Sequence, residues 1–174
     1  MAAAVAAGKA RLAVLLALFA GGAALGAGAA PSAFDFAGRY EHSFRNGNVD
    51  GEHYLTTDTV VIVPTDRRHA LVEMELAFFN GHTCSVSGPA TLERGALVYR
   101  DPEMTDYGDG GPCTLRIQRR GGRLTWDDAG SCSGYCGARG TLRGGSIALA
   151  SRRPVPRIER QRMLREQQGN GTRR

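Results

Sequence analysis

The sequence predicts an all-β fold, a small antiparallel barrel or sandwich of about seven to nine strands. Apolar and polar residues alternate along much of 34–151, which is the two-residue period of half-buried strands. Turn-forming Gly, Asn, Asp and Pro interrupt this alternation roughly every 8 to 14 positions, a spacing typical of consecutive hairpins. No segment in this part of the sequence shows the 3.6-residue period of an amphipathic helix. Consecutive hairpins favour an up-and-down barrel.

The individual strands follow from this alternation in chain order. The segment Ala70–Phe78 is the clearest, because its apolar residues are separated by polar ones such as Glu73 and Glu75. Asn80-Gly81 directly after it is a strong hairpin signal, and Gly121-Gly122 predicts a second turn. We therefore predict strands at 36–44, 53–63, 70–78, 82–87, 96–100, 113–118 and 123–127, with weaker candidates at 90–94, 140–143 and 147–151.

The amino terminus has the three parts of a cleavable secretory signal peptide. Lys9 and Arg11 form a positive start, Leu12–Ala20 is an apolar run, and Ala27-Gly28-Ala29 matches a signal peptidase site. The apolar run is far shorter than the roughly 20 residues that span a bilayer, which favours cleavage over a retained anchor. We expect residues 1–29 to be removed and no integral membrane segment to follow.

Charge is unevenly distributed between a predicted domain at 30–151 and a tail at 152–174. Residues 31–150 carry 12 Arg and 15 Asp or Glu, whereas residues 151–174 carry 8 Arg and 2 Glu. The domain is therefore slightly acidic, which argues against binding of nucleic acid. We expect a short basic helix at 158–168, disorder at 169–174, and a solvated tail outside the core. The alternative is attraction of the tail to anionic lipid head groups or another acidic envelope component.

Four cysteines, Cys84, Cys113, Cys132 and Cys136, all lie downstream of the predicted signal peptide. An even number in an exported chain predicts two disulfides, for which three connectivities exist. We favour Cys84–Cys113 between strands, together with Cys132–Cys136 as a small ring. On the chain-entropy model these loops contribute about 3.6 and about 2 kcal/mol.

No motif in the sequence predicts a metal, a cofactor or a catalytic group. His82 and Cys84 lie two apart on one strand face, but a cysteine in a disulfide is not a metal ligand, so no metal site is predicted. The acidic segment 101–111 offers oxygen ligands without the EF-hand spacing of a calcium site. Nucleophile-elbow, zinc-protease and phosphate-loop motifs are absent from the sequence.

The segment 130–145 is the candidate binding surface. A disulfide that rigidifies a loop lowers the entropy lost on binding. Tyr and Arg are also the residue types that most often anchor protein interfaces. We therefore predict that Tyr135 and Arg139 contact a protein partner. In the structural alternative, Tyr135 caps the barrel and Arg139 pairs with Asp127 or Asp128.

An exported β-barrel with a disulfide and the segment Gly137-Ala138-Arg139 on a late loop resembles the periplasmic lysozyme-inhibitor families. Those families insert a loop with a Ser-Gly-x-x-Tyr motif into the lysozyme cleft. The nearest match in this chain is Ser133-Gly134-Tyr135, in which the Tyr follows the Gly directly. The resemblance covers about fifteen residues and the general architecture, and it implies a protein that inhibits a lysozyme through this loop.

These observations predict a non-enzymatic binding module of the bacterial envelope, periplasmic or secreted, which inhibits a lysozyme or another hydrolase. A bacterial source is indicated because every cation after residue 29 is Arg in an Ala- and Gly-rich chain, as in GC-rich genomes. One alternative is a carrier that holds a small apolar ligand inside the barrel, against Val72, Met74, Leu76 and Trp126. A second alternative is a secreted enzyme.

Overall fold

The computed structural model describes residues 30–105 and 112–171. Its eight strands form one antiparallel sheet in the order of the sequence, which is a nearly closed up-and-down barrel. The strands are β1 (Gly38–Gly47), β2 (His53–Pro64), β3 (His69–Ala77), β4 (Thr83–Glu93), β5 (Ala96–Thr105), β6 (Pro112–Arg120), β7 (Arg123–Asp127) and β8 (Gly145–Ala148). The predicted all-β barrel is confirmed. The predicted signal peptide at 1–29 lies outside the described residues, as do residues 106–111 of the acidic segment and residues 172–174 of the end that we expected to be disordered.

The barrel closes through a bridge between β1 and the chain that follows β8. The backbone amide of Arg39 donates to the carbonyl of Arg153 at 2.9 Å, and the amide of Arg153 donates back at 2.7 Å. The sheet is incompletely paired at another place, because β4 and β5 pair only from Ala90 with Tyr99 to Glu93 with Ala96. Beyond Ala90 and Tyr99 the two strands diverge, which leaves space for another part of the chain.

Two of the turns form at the residues that the sequence indicated. Asn80 and Gly81 have φ of 60° and 71°, the positive values that a tight hairpin turn requires. Gly121 and Gly122 have φ of 53° and 76° and connect β6 to β7. The weaker strand candidate at 90–94 is not a separate element, because it forms the end of β4.

The segment between β7 and β8 differs from the prediction. The candidate strand at 140–143 is irregular chain, and the candidate at 147–151 is β8 followed by a short 3₁₀ turn at Leu149–Ser151. Leu142 is nevertheless buried in the core, so this segment contributes packing without pairing. A Cβ on Gly145 would lie 2.1 Å from the Trp126 indole nitrogen, so β8 begins where only a glycine fits beside Trp126.

Inward-facing side chains of the strands form one core cluster inside the barrel. Val72, Met74 and Leu76 belong to it, as the alternation in β3 predicted, and Trp126 belongs to it as well. All four are buried, and they pack with inward residues of the other strands. The barrel interior is therefore filled by side chains in the manner of a small eight-stranded barrel.

The C-terminal helix α1 (Arg157–Gly171) packs on the outer face of the barrel. Met163 is only 5% exposed and forms a second apolar cluster with Val61 and Val63 of β2 and Leu71 of β3. The expectation of a solvated tail was wrong for this part of the chain, because burial of a Met side chain contributes about 1.5–3 kcal/mol. The helix also continues to Gly171, beyond the predicted end at residue 168.

Two ion pairs hold the same face of α1 against the sheet. Arg162 donates to both carboxylate oxygens of Glu73 on β3, at 2.9 and 2.7 Å. Glu159 accepts from Arg39 on β1 at 2.5 Å. Within 30–105 and 112–171, no helix is long and apolar enough to cross a bilayer.

Candidate functional site: the disulfide-braced loop and its groove

The loop between β7 and β8 is fixed to two different strands by the two disulfides. Cys132 is bonded to Cys113 on β6, and Cys136 is bonded to Cys84 on β4. The predicted connectivity, Cys84–Cys113 with Cys132–Cys136, is therefore wrong, although all four cysteines are paired. We call residues 128–140 the braced loop. The two disulfides fit an extracellular or secreted protein.

A buried carboxylate positions Cys132 for the first of the two disulfides that attach the braced loop. Asp128 is 4% exposed, and its two oxygens accept from the backbone amides of Gly130 at 3.0 Å and Cys132 at 2.9 Å. Ser131 then accepts from the amide of Thr114 on β6 at 3.0 Å. This tight turn brings Cys132 beside Cys113, with their Cα atoms 4.6 Å apart.

The second anchor joins the braced loop to the edge of β4 where β4 has diverged from β5. Cys84 and Cys136 form an isolated antiparallel bridge, and the amide of Gly137 donates to the carbonyl of Thr83 at 2.8 Å. A Cβ on Gly140 would lie 2.7 Å from the Cys84 sulfur, so only glycine allows this close approach. The braced loop thereby pairs with the edge of β4 that β5 leaves free.

A groove of about 690 Å³ lies beside the braced loop, above the point where β4 and β5 separate. Tyr99 lies across Gly88, where a Cβ would be 2.7 Å from the Tyr99 ring. The Tyr135 hydroxyl lies 2.6 Å from that of Tyr99 and also donates to Asp101. The remaining lining comes from β3, β4, β5 and α1, through Leu71, Val72, Ser87, Pro89, Arg100, Pro102, Met163, Glu166, Gln167 and Gly169.

Burial raises the pKa of both groove tyrosines. Burial raises the pKa of Tyr135, and the hydrogen bonds with Asp101 and Tyr99 raise it further. Burial also raises the pKa of Tyr99, although the hydrogen bond to Tyr135 partly opposes this. Neither phenol is therefore an ionised nucleophile at neutral pH. The groove instead presents a fixed polar floor formed by two tyrosines and a carboxylate.

Tyr135 and Arg139, the two residues predicted to contact a partner, differ in their exposure. Tyr135 is half-buried and points toward β5, and it packs against the core. Arg139 is exposed, and its guanidinium carbon lies 5.9 Å from the centre of the Phe79 ring, which is 44% exposed. The expected alternative for Arg139, a pair with Asp127 or Asp128, does not form. Tyr135 is held in the fold through its contacts with the core cluster, Tyr99 and Asp101.

His82 and Cys84 were the residues that a metal site would have used. Cys84 is oxidised in a disulfide, and His82 lies against Gly137. Within the described ranges, no group of three or more His, Cys, Asp or Glu side chains is placed to hold a metal ion. The sequence reasoning did not identify Tyr99, Asp101 or Asp128 as parts of this site. Only the Asp128-Ala129-Gly130 sequence gave a local signal, since Asp before Gly is typical of turns.

Comparison with known proteins gives no relative. No protein family model matches the chain, and neither a curated protein nor a solved structure matches it.

Proposed function

We propose that this protein is an exported binding module of the bacterial envelope, which contacts a protein partner through the exposed part of the braced loop. The observation that carries the proposal is the attachment of one short loop to two different strands by two disulfides. Residues 133, 134 and 137–139 between and beside these anchors are exposed. A loop held in this way loses little conformational entropy when a partner binds.

Arg139 is the anchor that we propose for the partner. Its guanidinium is exposed beside the Phe79 ring, so a cation and an aromatic face are offered together on the surface. Residue types of this kind are enriched at the centres of protein interfaces. Tyr135 contributes differently, because its hydroxyl is engaged by Tyr99 and Asp101 and its ring forms one wall of the groove.

The packing of the barrel favours this proposal over a small-ligand carrier. Val72, Met74, Leu76 and Trp126, which would line the ligand site of a carrier, are each at most 5% exposed and belong to one packed cluster. The partner class that the sequence resemblance suggests is a lysozyme or another hydrolase. An inhibitor of this kind needs a rigid exposed loop, and the two disulfides of the braced loop support this proposal.

The first test is inhibition of lysozyme by the purified, oxidised protein. If the wild-type protein does not inhibit, a lysozyme is excluded as the partner, and affinity capture from envelope extract tests the wider proposal. Failure to capture any protein at all would refute it. A captured partner would then be titrated against variants.

Substitutions in the braced loop test its role. Arg139→Ala is expected to weaken partner binding about 5- to 30-fold, as truncation of an interface anchor does, with an unchanged melting temperature. Arg120→Ala is the matched control, because Arg120 is exposed in the β6–β7 hairpin at the opposite end of the barrel. Equal losses for the two variants would refute a specific role of Arg139. Tyr135→Ala is less informative, since it also removes the contacts with Tyr99 and Asp101.

A further inference from the structure

A second groove, of about 500 Å³, lies at the N-terminal end of α1, away from the braced loop. Its apolar floor includes the accessible residues Ala37, Pro154 and Val155, which lie over the buried Ile62, Val63 and Pro64 at the end of β2. Three arginines also line it, Arg152, Arg153 and Arg160. The groove thus combines an apolar floor with a cationic rim.

The three rim arginines have no carboxylate partner within the part of the chain that the structure describes. The salt bridges there engage the guanidinium groups of Arg39, Arg100 and Arg162. The side chain of Arg153 reaches only the carbonyl of Arg152, at 3.3 Å. Three positive charges therefore surround the groove without internal neutralisation, which favours an anionic ligand.

Local packing fixes where one of these charges lies. The Arg152 side chain crosses Gly38, where a Cβ would meet its Cγ at 2.8 Å. The backbone of Arg153 is held by the bridge to Arg39 that closes the barrel. Arg160 lies in the first turns of α1, which Met163 fixes to the sheet. The cationic rim is thus built on three fixed elements of the fold.

We propose that this groove binds an anionic phospholipid at a membrane surface. The rim arginines would bind the phosphate of the head group, and the apolar floor would contact the first part of an acyl chain. The lining gives the reason to choose a membrane, because a phospholipid carries its phosphate close to its acyl chains and so matches three arginines beside accessible apolar side chains.

The proposal does not depend on the function proposed for the braced loop, which lies at the other end of the barrel. It is tested by co-sedimentation of the oxidised protein with vesicles of phosphatidylcholine, with or without phosphatidylglycerol. Binding is expected only to the vesicles that contain phosphatidylglycerol. Absence of binding to those vesicles, or equal binding to both kinds, would overturn the proposal.

Charge-matched variants separate the groove from general electrostatic attraction. The triple variant Arg152→Gln, Arg153→Gln and Arg160→Gln is expected to lower partitioning about 100-fold, from the contribution of each arginine near an anionic surface. The control removes three exposed arginines elsewhere, as Arg45→Gln, Arg94→Gln and Arg116→Gln, and is expected to lower it less than 3-fold. Equal losses in the two triple variants would refute the assignment to this groove.

Two further measurements complete the test. Glutamine keeps most of the aliphatic stem of each arginine, so the melting temperature of both triple variants should match the wild type. Inorganic phosphate is the second probe: if the groove binds free phosphate but the protein does not bind the vesicles that contain phosphatidylglycerol, the site is a free-anion site and the lipid assignment is wrong.

Discussion

Replacement of Asp128 by alanine should destabilise the protein far more than replacement of its neighbour Asp127. The Asp128 carboxylate is buried and accepts from two backbone amides, one of which, that of Cys132, is itself buried. Asp127 is exposed, and its carboxylate accepts from one amide, that of Ala129, at 2.8 Å. The two substitutions remove the same charge from adjacent positions, which makes them a matched pair.

The expected magnitude follows from the bonds that are lost. A hydrogen bond to a charged group contributes about 1.5–3 kcal/mol, and a buried amide left without an acceptor costs about 1–3 kcal/mol. Because these effects overlap, Asp128→Ala should lower the free energy of unfolding by about 2–4 kcal/mol. Asp127→Ala should lower it by less than about 1 kcal/mol.

Urea unfolding with intact disulfides measures this difference. The protein has a single tryptophan, Trp126, which is 5% exposed and so provides the fluorescence signal. Oxidative refolding of the reduced variants, followed by peptide mapping, gives a second readout. Asp128→Ala should form less of the Cys113–Cys132 disulfide than the wild type, because the turn that brings these residues together is weakened. Equal unfolding free energies for the two Asp variants, or unchanged disulfide yields, would refute the role assigned to Asp128.

Three other outcomes are expected. Met163→Ala should lower the free energy of unfolding in urea by about 2–3 kcal/mol because it opens the outer cluster, whereas Ile158→Ala, at an exposed position of the same helix, should change it by less than about 0.5 kcal/mol. Gly145→Ala should lower it by about 1–3 kcal/mol and shift tryptophan emission, since its Cβ would overlap the indole of Trp126; unchanged emission would contradict the packing. Folding raises the pKa of Tyr135, so its stabilising contribution is present below pH 10 and is lost as the pH rises above that value. Tyr135→Phe should therefore make the alkaline decline in the free energy of unfolding shallower by about 1.4 kcal/mol per pH unit.

Part of the fold follows directly from local sequence patterns. The alternation in β3 identified Val72, Met74 and Leu76 as core residues, because side chains in a strand point to opposite faces in turn. Asn80-Gly81 gave the hairpin turn because these residue types accept positive φ. A missed signal was the run Val60-Val61-Ile62-Val63, in which every residue is buried. Such a run indicates that both faces of a strand are covered. It could therefore have predicted that another element, here α1, packs on the outside of the barrel.

What the sequence determined by itself is therefore the all-β class, the positions of most strands and turns, and the fact that all four cysteines form disulfides. Which cysteines join, and where the tail lies, were decided only by the tertiary structure. Cys84 meets Cys136 because β4 and β5 diverge and leave an edge for the braced loop, across a sequence separation of 52 residues. The tail docks because Met163, Arg162 and Glu159 meet partners far away in the sequence. Local patterns report on backbone conformation and on which face of a strand is apolar, whereas contacts between distant residues depend on how the strands diverge and close in three dimensions.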